Sequence, residues 1–295
     1  MEFDAVRAFV TLADAGSVSR AARELHITQS AVTRRLQRLE TSLGIVLLDR
    51  TSRPLRLTAS GRAALERCRR LLGHIRELRA AATNGNLPRG ELRIGVAHAL
   101  TEFALAEPVE RVQRKFPQVA LLLRTGWSRD LLERVRTSAL DGAVILLPCD
   151  EHLPANVAGK QVGKERLVVV GSRREKNLLA RRVEDLSGAQ WILNPEGCAA
   201  RVGLRRALLH ANIDLVVAVE TYNYELQLAL VAQNRGLSLV PERILAHSPL
   251  KARLRIFPIR GLNFPLTMWV VHGRPPMELD PVIEDLSSAL LKRFQ

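Results

Sequence analysis

Six polar side chains, Gln29, Ser30, Thr33, Arg34, Gln37 and Arg38, recur through "QSAVTRRLQRLE" at the spacing that places them on one side of a helix. Val32, Leu36 and Leu39, at i, i+4 and i+7, fall on the other side. Gln can bond adenine bidentately, Arg can bond guanine or grip a phosphate, and Ser and Thr hydroxyls serve base edges or phosphate oxygens. This is the chemistry of a helix laid in a DNA major groove. An ordinary amphipathic helix with a hydrated outer face has the same pattern, so the flanking elements must discriminate.

Those elements are legible. Val6, Phe9, Val10 and Ala13 predict a helix stopped by Gly16, and Ser17 is placed to cap a second helix, "VSRAARE", in which Ala21 and Ala22 allow a neighbour to approach closely. "LHIT" reads as a turn with His26 in the left-handed region, which His tolerates better than most residues, and Thr28 caps the third helix. After Gly44, the extended runs "VLLDR" and "LRLT" flank "TSRP", a wing whose Arg50, Arg53 and Arg56 would lie along a phosphate backbone. From Thr58 a long helix carries Gly61, Leu65, Cys68, Leu72, Ile75, Arg79 and Ala82 at alternating spacings of four and three. That seam suits a paired helix, or a single amphipathic helix packed on its own domain. "NGNLPRG" (84–90) then breaks the helix.

Charge points the same way. The chain of 295 residues carries a formal net charge of +14, and residues 1–90 hold sixteen Arg against eight acidic residues. A basic excess concentrated at the front favours a polyanionic partner there. No apolar run approaches the length of a membrane span, and the acidic start "MEFDAV" is unlike a secretory signal, so a cytoplasmic location without membrane contact is expected. Cys68, Cys149 and Cys198 are scattered and odd in number, which predicts free thiols.

Beyond Gly90 short β-type runs ("ELRIGVA", "VALLLRTG", "GAVILLP", "ERLVVVGS", "QWILNP", "LVVAVET", "GLSLVP", "LTMWVVHG") alternate with helical segments. This predicts an α/β fold with largely parallel sheets and two units facing across a cleft. A ligand would sit beyond the carboxyl ends of the strands, at "AHALTE", "GWSRD", "LPCD" and "NPEGCA". In the last helix, Ile283, Leu286, Leu290 and Phe294 share a face expected to pack on the first unit. There is no Walker-type loop, no Gly-x-Ser-x-Gly elbow and no His pair spaced for a metal, so neither an enzyme nor a cofactor is expected.

Over some forty positions, "AARELHITQSAVTRRLQRLETSLGIVLLDRTSRPLRLTASG" resembles the winged helix-turn-helix of the LysR-type transcriptional regulators. The resemblance continues, less specifically, through "LRIGVA", "LLERVRTSALDGAVI", "EDLSGAQWI" and "LALVAQNRGLSLVP". It implies a mainly helical winged helix-turn-helix with a β-wing at residues 1–58 and a linker or dimerisation helix at 59–88. An α/β effector-binding domain similar to periplasmic solute-binding proteins then occupies residues 89–295. That domain would divide into subdomain I at about 91–162 and 266–295 and subdomain II at about 163–265.

The resemblance further implies base-reading positions at Gln29, Ser30, Thr33 and Arg34 and backbone clamps at Thr28, Arg50 and Arg53, with Arg35 and Arg38 as weaker phosphate contacts. Arg35 could equally lie along the surface of the second helix. Effector positions fall on Ala99, Leu100, Thr101, Trp127, Ser128, Arg129, Asn194, Cys198 and Tyr222, where Thr101, Ser128 and Arg129 would suit a small carboxylate. The implied partners are double-stranded DNA with a pseudo-palindromic operator, a small-molecule effector and further copies of the chain, as a dimer through the linker helix and then a tetramer. Two departures stand out: "VAQNRG" lacks one usual glycine, and "GSRREKNLLARR" lacks the usual His-Pro. A solute-binding protein without DNA, or an architectural DNA binder, would leave one half of this sequence without a purpose.

Overall fold

A computed structural model describes residues 2–49, 56–81, 88–101, 105–174, 180–273 and 279–294. Two compact units divide the chain, one formed by the first 86 residues and the other by most of the remainder.

The first unit opens with α1 (Glu2–Ala15), α2 (Val18–Glu24) and α3 (Gln29–Leu43). Gly16 turns the chain at φ 64°. The Ser17 hydroxyl accepts the Arg20 N–H at 3.2 Å, satisfying a donor that the first turn of α2 leaves open. His26 takes φ 54°, and Gly44 ends α3 at φ 66°. The short strands β1 (Leu48–Asp49) and β2 (Arg56–Leu57) pair antiparallel as the base of the wing, and α4 (Ala59–Ala81) comes next. Phe9, Leu12, Ala21, Val32, Leu36 and Leu47 form the core. Two polar groups fasten the wing to the helices: Glu40 Oε1 accepts the Leu47 N–H at 2.8 Å, and Thr58 Oγ1 donates to the Val46 carbonyl at 2.7 Å while accepting the Gly61 N–H at 2.8 Å.

The first part of the α4 seam takes the second of its two readings, packing on its own domain. Leu65 and Cys68, with neighbouring Ala64, are buried in the unit's own core, and Gly61 lies against the Leu47 backbone. The first half of the seam therefore packs at home, because α4 crosses α1 there. Cys68 is buried and is no exposed cross-linking site, and burial pushes its thiol pKa up. Among the described residues of this helix, the exposed large apolar side chains are Leu71 and Leu78, one heptad apart. Ala82 and the side chain of Arg79 lie outside the described residues.

The second unit begins with β3 (Gly90–Ala97), α5 (His98–Thr101), α6 (Ala106–Lys115), β4 (Val119–Gly126), α7 (Ser128–Arg136) and β5 (Gly142–Pro148). Here β3 pairs parallel with both β4 and β5. The chain continues through β6 (Val157–Ser172), β7 (Gln190–Leu193), α8 (Ala199–His210), β8 (Val216–Glu220) and α9 (Tyr224–Ala232). It closes with β9 (Ser238–Pro241), α10 (Glu242–His247), β10 (Leu254–Phe257), β11 (Phe264–Gly273) and α11 (Asp280–Phe294).

The seven-stranded sheet is mixed, which corrects the expectation of largely parallel ones, while β7 and β8 pair parallel as expected. β6 pairs antiparallel with β9, β10 and β11, and β11 pairs antiparallel with β5. The reason is that β6 runs for 16 residues: its first half joins the β4-β3-β5-β11 layer and its second half joins β9 and β10. One strand thus belongs to both halves. The front of β6, "VAGKQVGK", and β10, "LRIF", gave no strand signal, since glycines and lysines interrupt the first and the second is only four residues long. Ile283, Leu286, Leu290 and Phe294 of α11 are buried against Leu92, Val162 and Met268, as their shared face predicts.

This packing leads to two stability outcomes. An ideal Cβ at Gly61 would stand 2.0 Å from the Leu47 carbonyl oxygen, so Gly61→Ala should cost about 2 kcal/mol in urea unfolding through overpacking. Asp285, whose side chain is 4% exposed, receives Arg111 Nε at 3.0 Å and Lys115 Nζ at 2.6 Å, and the Arg111 hydrogen bond foremost holds its carboxyl below the usual range. A depressed carboxylate pKa gives stability that is present above the unfolded value and lost as pH falls through the folded one. Asp285→Asn should therefore lower stability in urea at pH 7, by about 1 kcal/mol, with the gap from the parent closing as the buffer is taken toward the acid side of the carboxylate range.

Candidate functional site

The first candidate surface is the outer face of α3. Gln29, Ser30, Thr33, Arg34, Gln37 and Arg38 are all exposed, while Val32, Leu36 and Leu39 are 0%, 4% and 4% exposed. The apolar stripe pins the helix and so fixes which way the polar face looks. Thr28 caps the helix by accepting the Ala31 N–H at 3.2 Å, and its hydroxyl lies 3.0 Å from that of Ser30. The Thr33 hydroxyl donates to the Gln29 carbonyl at 3.0 Å, which commits its proton and leaves a lone pair and a methyl group facing outward. A lone pair accepts from a base amino group, and a methyl can touch the thymine methyl.

Arg35 is half-buried and lies 4.0 Å from Asp4, so it runs toward α1 and not along the second helix as the sequence suggested, whereas Arg38 is exposed. A shallow groove of about 570 Å³ lies beside the start of α3, lined by Ser19, Ala22, Arg23, His26 and Gln29 among others. Arg50 and Arg53 lie outside the described residues.

The second candidate surface lies at the carboxyl ends of β3, β4, β7 and β8. His98 comes directly after β3, Trp127 after β4 and Tyr222 just after β8, and their rings meet. His98 and Trp127 stand edge to face with centroids 4.8 Å apart, His98 and Tyr222 at 5.0 Å, and Trp127 and Tyr222 stack at 5.6 Å with 28° between planes. Gly197, at φ 92°, makes room for the indole: a Cβ there would sit 2.7 Å from Trp127 Nε1. Burial lowers the His98 pKa, so at neutral pH the imidazole is uncharged.

The remaining sequence-derived positions divide sharply. Leu100 is fully buried in the core and supports the site from behind without lining it. Ala99 packs between two of the hydrophobic clusters, and the Thr101 hydroxyl donates to the His98 carbonyl at 2.8 Å. Ser128 Oγ accepts the Leu146 N–H at 3.1 Å, and the Arg129 guanidinium is held by Glu151 at 2.8 Å. A carboxylate ligand would therefore have to compete with Glu151 for its cation. Asn194 is buried with its amide 3.4 Å from the Thr221 carbonyl. Cys198 is 7% exposed at the N-cap of α8, and burial pushes its thiol pKa up, so the nucleophilic thiolate is disfavoured.

Three residues here were missed from the sequence. His98 carried a signal, since it directly succeeds the strand "LRIGVA", and Gly197 lay in view inside "NPEGC". Arg201 carried none, because a buried arginine looks like any other helix arginine until its partners are known. It is 8% exposed and binds the carboxylates of Glu220 and of Glu196 (3.1 Å) and the Asn194 carbonyl (3.1 Å). It thus ties α8 to the ends of β7 and β8. Among the described residues no group of His, Cys, Asp and Glu is disposed to hold a metal, and no helix is long and apolar enough to cross a membrane.

Comparison with known proteins bears on both surfaces. A family model for the bacterial regulatory helix-turn-helix protein, LysR family, matches residues 3–62, and one for the LysR substrate binding domain matches residues 85–295. The transcriptional regulator CzcR of Bacillus cereus is 30% identical over 247 residues, 84% of this chain and 82% of CzcR. A full-length OxyR point variant from Pseudomonas aeruginosa has a similar fold, with TM-score 0.73 and 22% identity over 98% of this chain and 94% of that one. So has full-length LysG from Corynebacterium glutamicum with bound effector Arg, at TM-score 0.64 and 19% identity over 99% of both chains.

Replacing Arg201 with Met keeps the apolar stem but takes this donor from the Asn194 carbonyl and the half-exposed Glu220 carboxylate, while Glu196 keeps Arg205. The expected loss is about 1–3 kcal/mol in urea unfolding of the whole chain. Glu196→Gln, on the exposed side of the same cluster, should cost less than half as much.

Proposed function

The chain belongs to the LysR family of transcriptional regulators, and from that premise we propose how its two surfaces divide the work. It is a DNA-binding transcriptional regulator with an effector-binding domain. In our reading, Gln29, Ser30, Thr33 and Arg34 read base edges in the major groove. Thr28, Arg38, Arg50 and Arg53 grip the phosphates on either side. The observation that carries this assignment is the exposure of the whole polar face of α3 while its apolar stripe is locked in the core. Residues 1–58 then form the DNA-binding domain, 59–88 the linker and 89–295 the effector domain, with its two subdomains joined through the paired strands β6 and β11.

The effector sits, on this proposal, at the strand ends between those subdomains, around Ala99, Thr101, Trp127, Ser128, Arg129, Asn194, Cys198 and Tyr222. Support comes from the convergence of His98, Trp127 and Tyr222 there, and from the general tendency of ligands to occupy the carboxyl ends of strands. Control is allosteric provided that the effector binds two arrangements of the domain with different affinity. The protein acts in the cytoplasm by binding and not by catalysis. Exposed Leu71 and Leu78 on α4 favour a dimer formed through this helix, and pairs of dimers give the tetramer. Two DNA-binding domains so joined read half-sites about 34 Å apart on a pseudo-palindrome.

Two measurements test the reading. Arg34→Ala should weaken binding to the selected operator by about 1–3 kcal/mol and narrow its margin over random DNA, whereas Arg38→Ala should weaken both alike and flatten the salt dependence. Equal affinity of Arg34→Ala and parent for the operator in gel-shift titrations would overturn the reading face. Leu71→Glu with Leu78→Glu should shift the chain to a smaller species in sedimentation, and an unchanged mass would exclude pairing through this face of α4.

A further inference from the structure

We propose that the His98, Trp127 and Tyr222 cluster is a slot for a flat aromatic ring, and that it selects the effector by planarity. The inference rests on the reading of this cleft as the effector site and adds to it the class of molecule.

The polar groups of the cleft each carry an internal contact: Ser128 Oγ accepts the Leu146 N–H, Arg129 binds Glu151, the Asn194 amide meets the Thr221 carbonyl, and Arg201 binds Glu196 and Glu220. Burial keeps His98 uncharged. Beside these partly engaged groups the cleft offers the faces of its rings. Tyr222 is 53% exposed and Trp127 is partly so, and exposed aromatic area beside a buried wall gains by being covered.

Orientation then decides the shape of the guest. The planes of Trp127 and Tyr222 lie within 28° of each other, while the His98 ring stands at 66° to the indole. Two nearly parallel faces with a third ring closing one end make a slot. A cage for a quaternary ammonium instead needs faces turned around a point, because the cation seeks several ring faces at once. In the structure the two faces touch each other at 5.6 Å between centroids, so admitting a ring requires the walls to part by about one ring thickness, roughly 3.5 Å.

The walls stand on different parts of the fold, so parting them moves one against the other. Trp127 and His98 extend from β4 and β3, whereas Tyr222 extends from β8 in the β7-β8 sheet. On the Tyr222 side the floor is Gly197, whose missing side chain lets the indole edge settle onto the backbone. A flat ligand would replace the direct ring contact with two new ones, holding the halves at a fixed and wider spacing. A puckered ring of the same size is thicker and touches each face with fewer atoms, so it must force the walls farther apart for less contact.

The test compares benzoate with cyclohexanecarboxylate, which share charge and approximate size and differ in planarity, with tetramethylammonium as the cation probe. Each is titrated into the full-length protein and followed by tryptophan fluorescence and calorimetry. Benzoate should give a saturable response at least about tenfold tighter than either of the others. Tyr222→Ala, a truncation at an exposed position, should abolish it, and Tyr222→Phe should retain it. Trp127→Phe should keep the calorimetric affinity within a few-fold while losing the fluorescence change, which separates the reporter from the binding face. Equal affinity for benzoate and cyclohexanecarboxylate, or tighter binding of tetramethylammonium, overturns planar selection and leaves the cleft as the effector site. A benzoate response untouched by Tyr222→Ala, or no saturable response to any probe, overturns the slot itself, and the operator assays with Arg34→Ala still decide the DNA-binding reading independently.

Discussion

The antiparallel pairing of β6 with β11 is the interaction on which the regulatory unit depends. The register runs from Phe264 opposite Leu167 to Gly273 opposite Val157, so these two strands carry the chain out of one half and back again. Because ladder hydrogen bonds fix strand separation, the pair sets how far apart the strand ends of the two halves stand, and so where His98, Trp127 and Tyr222 can meet. Irregularity is confined to a shift between Met268 and Trp269. Near the crossing, Glu165 is buried with Arg243 at 3.6 Å, and burial pushes its carboxyl pKa up. A charge at that point is costly, which makes the crossing sensitive to how its surroundings are packed.

The DNA-binding unit solves a smaller problem by closer means. A helix that presents six polar side chains outward contributes little to its own anchoring, so three residues on its back must hold it. Val32, Leu36 and Leu39 do so, with Ala21 and Ala22 of α2 small enough to let the helices approach. The wing is then fastened by backbone contacts, through Glu40, Thr58 and the bare Cα of Gly61. This relieves most of the α3 face of structural duties and makes it available to a partner. Ser30 and Thr33 are exceptions, since the Ser30 hydroxyl pairs with that of Thr28 and the Thr33 proton goes to the Gln29 carbonyl.

The cleft has the opposite character. Its polar residues hold one another in place, Arg201 most of all, and beside them it shows aromatic ring faces.

Much of this was legible in the sequence because it is local. Caps at Ser17 and Thr28, the left-handed turn at His26, the stop at Gly44 and the apolar stripes of α3 and α11 arise from spacings of a few residues, and the structure carries each of them. Side-chain period and backbone preference act over one or two turns, so a short window contains their cause. What needed the tertiary structure was every choice of partner across the chain. Whether the α4 seam faces its own core, that β6 belongs to two layers, that Glu151 holds Arg129, and that Leu100 turns inward while His98 joins Trp127 and Tyr222 are contacts between residues far apart in sequence. Such contacts are set by how whole elements pack, and a local pattern that permits several packings does not choose between them.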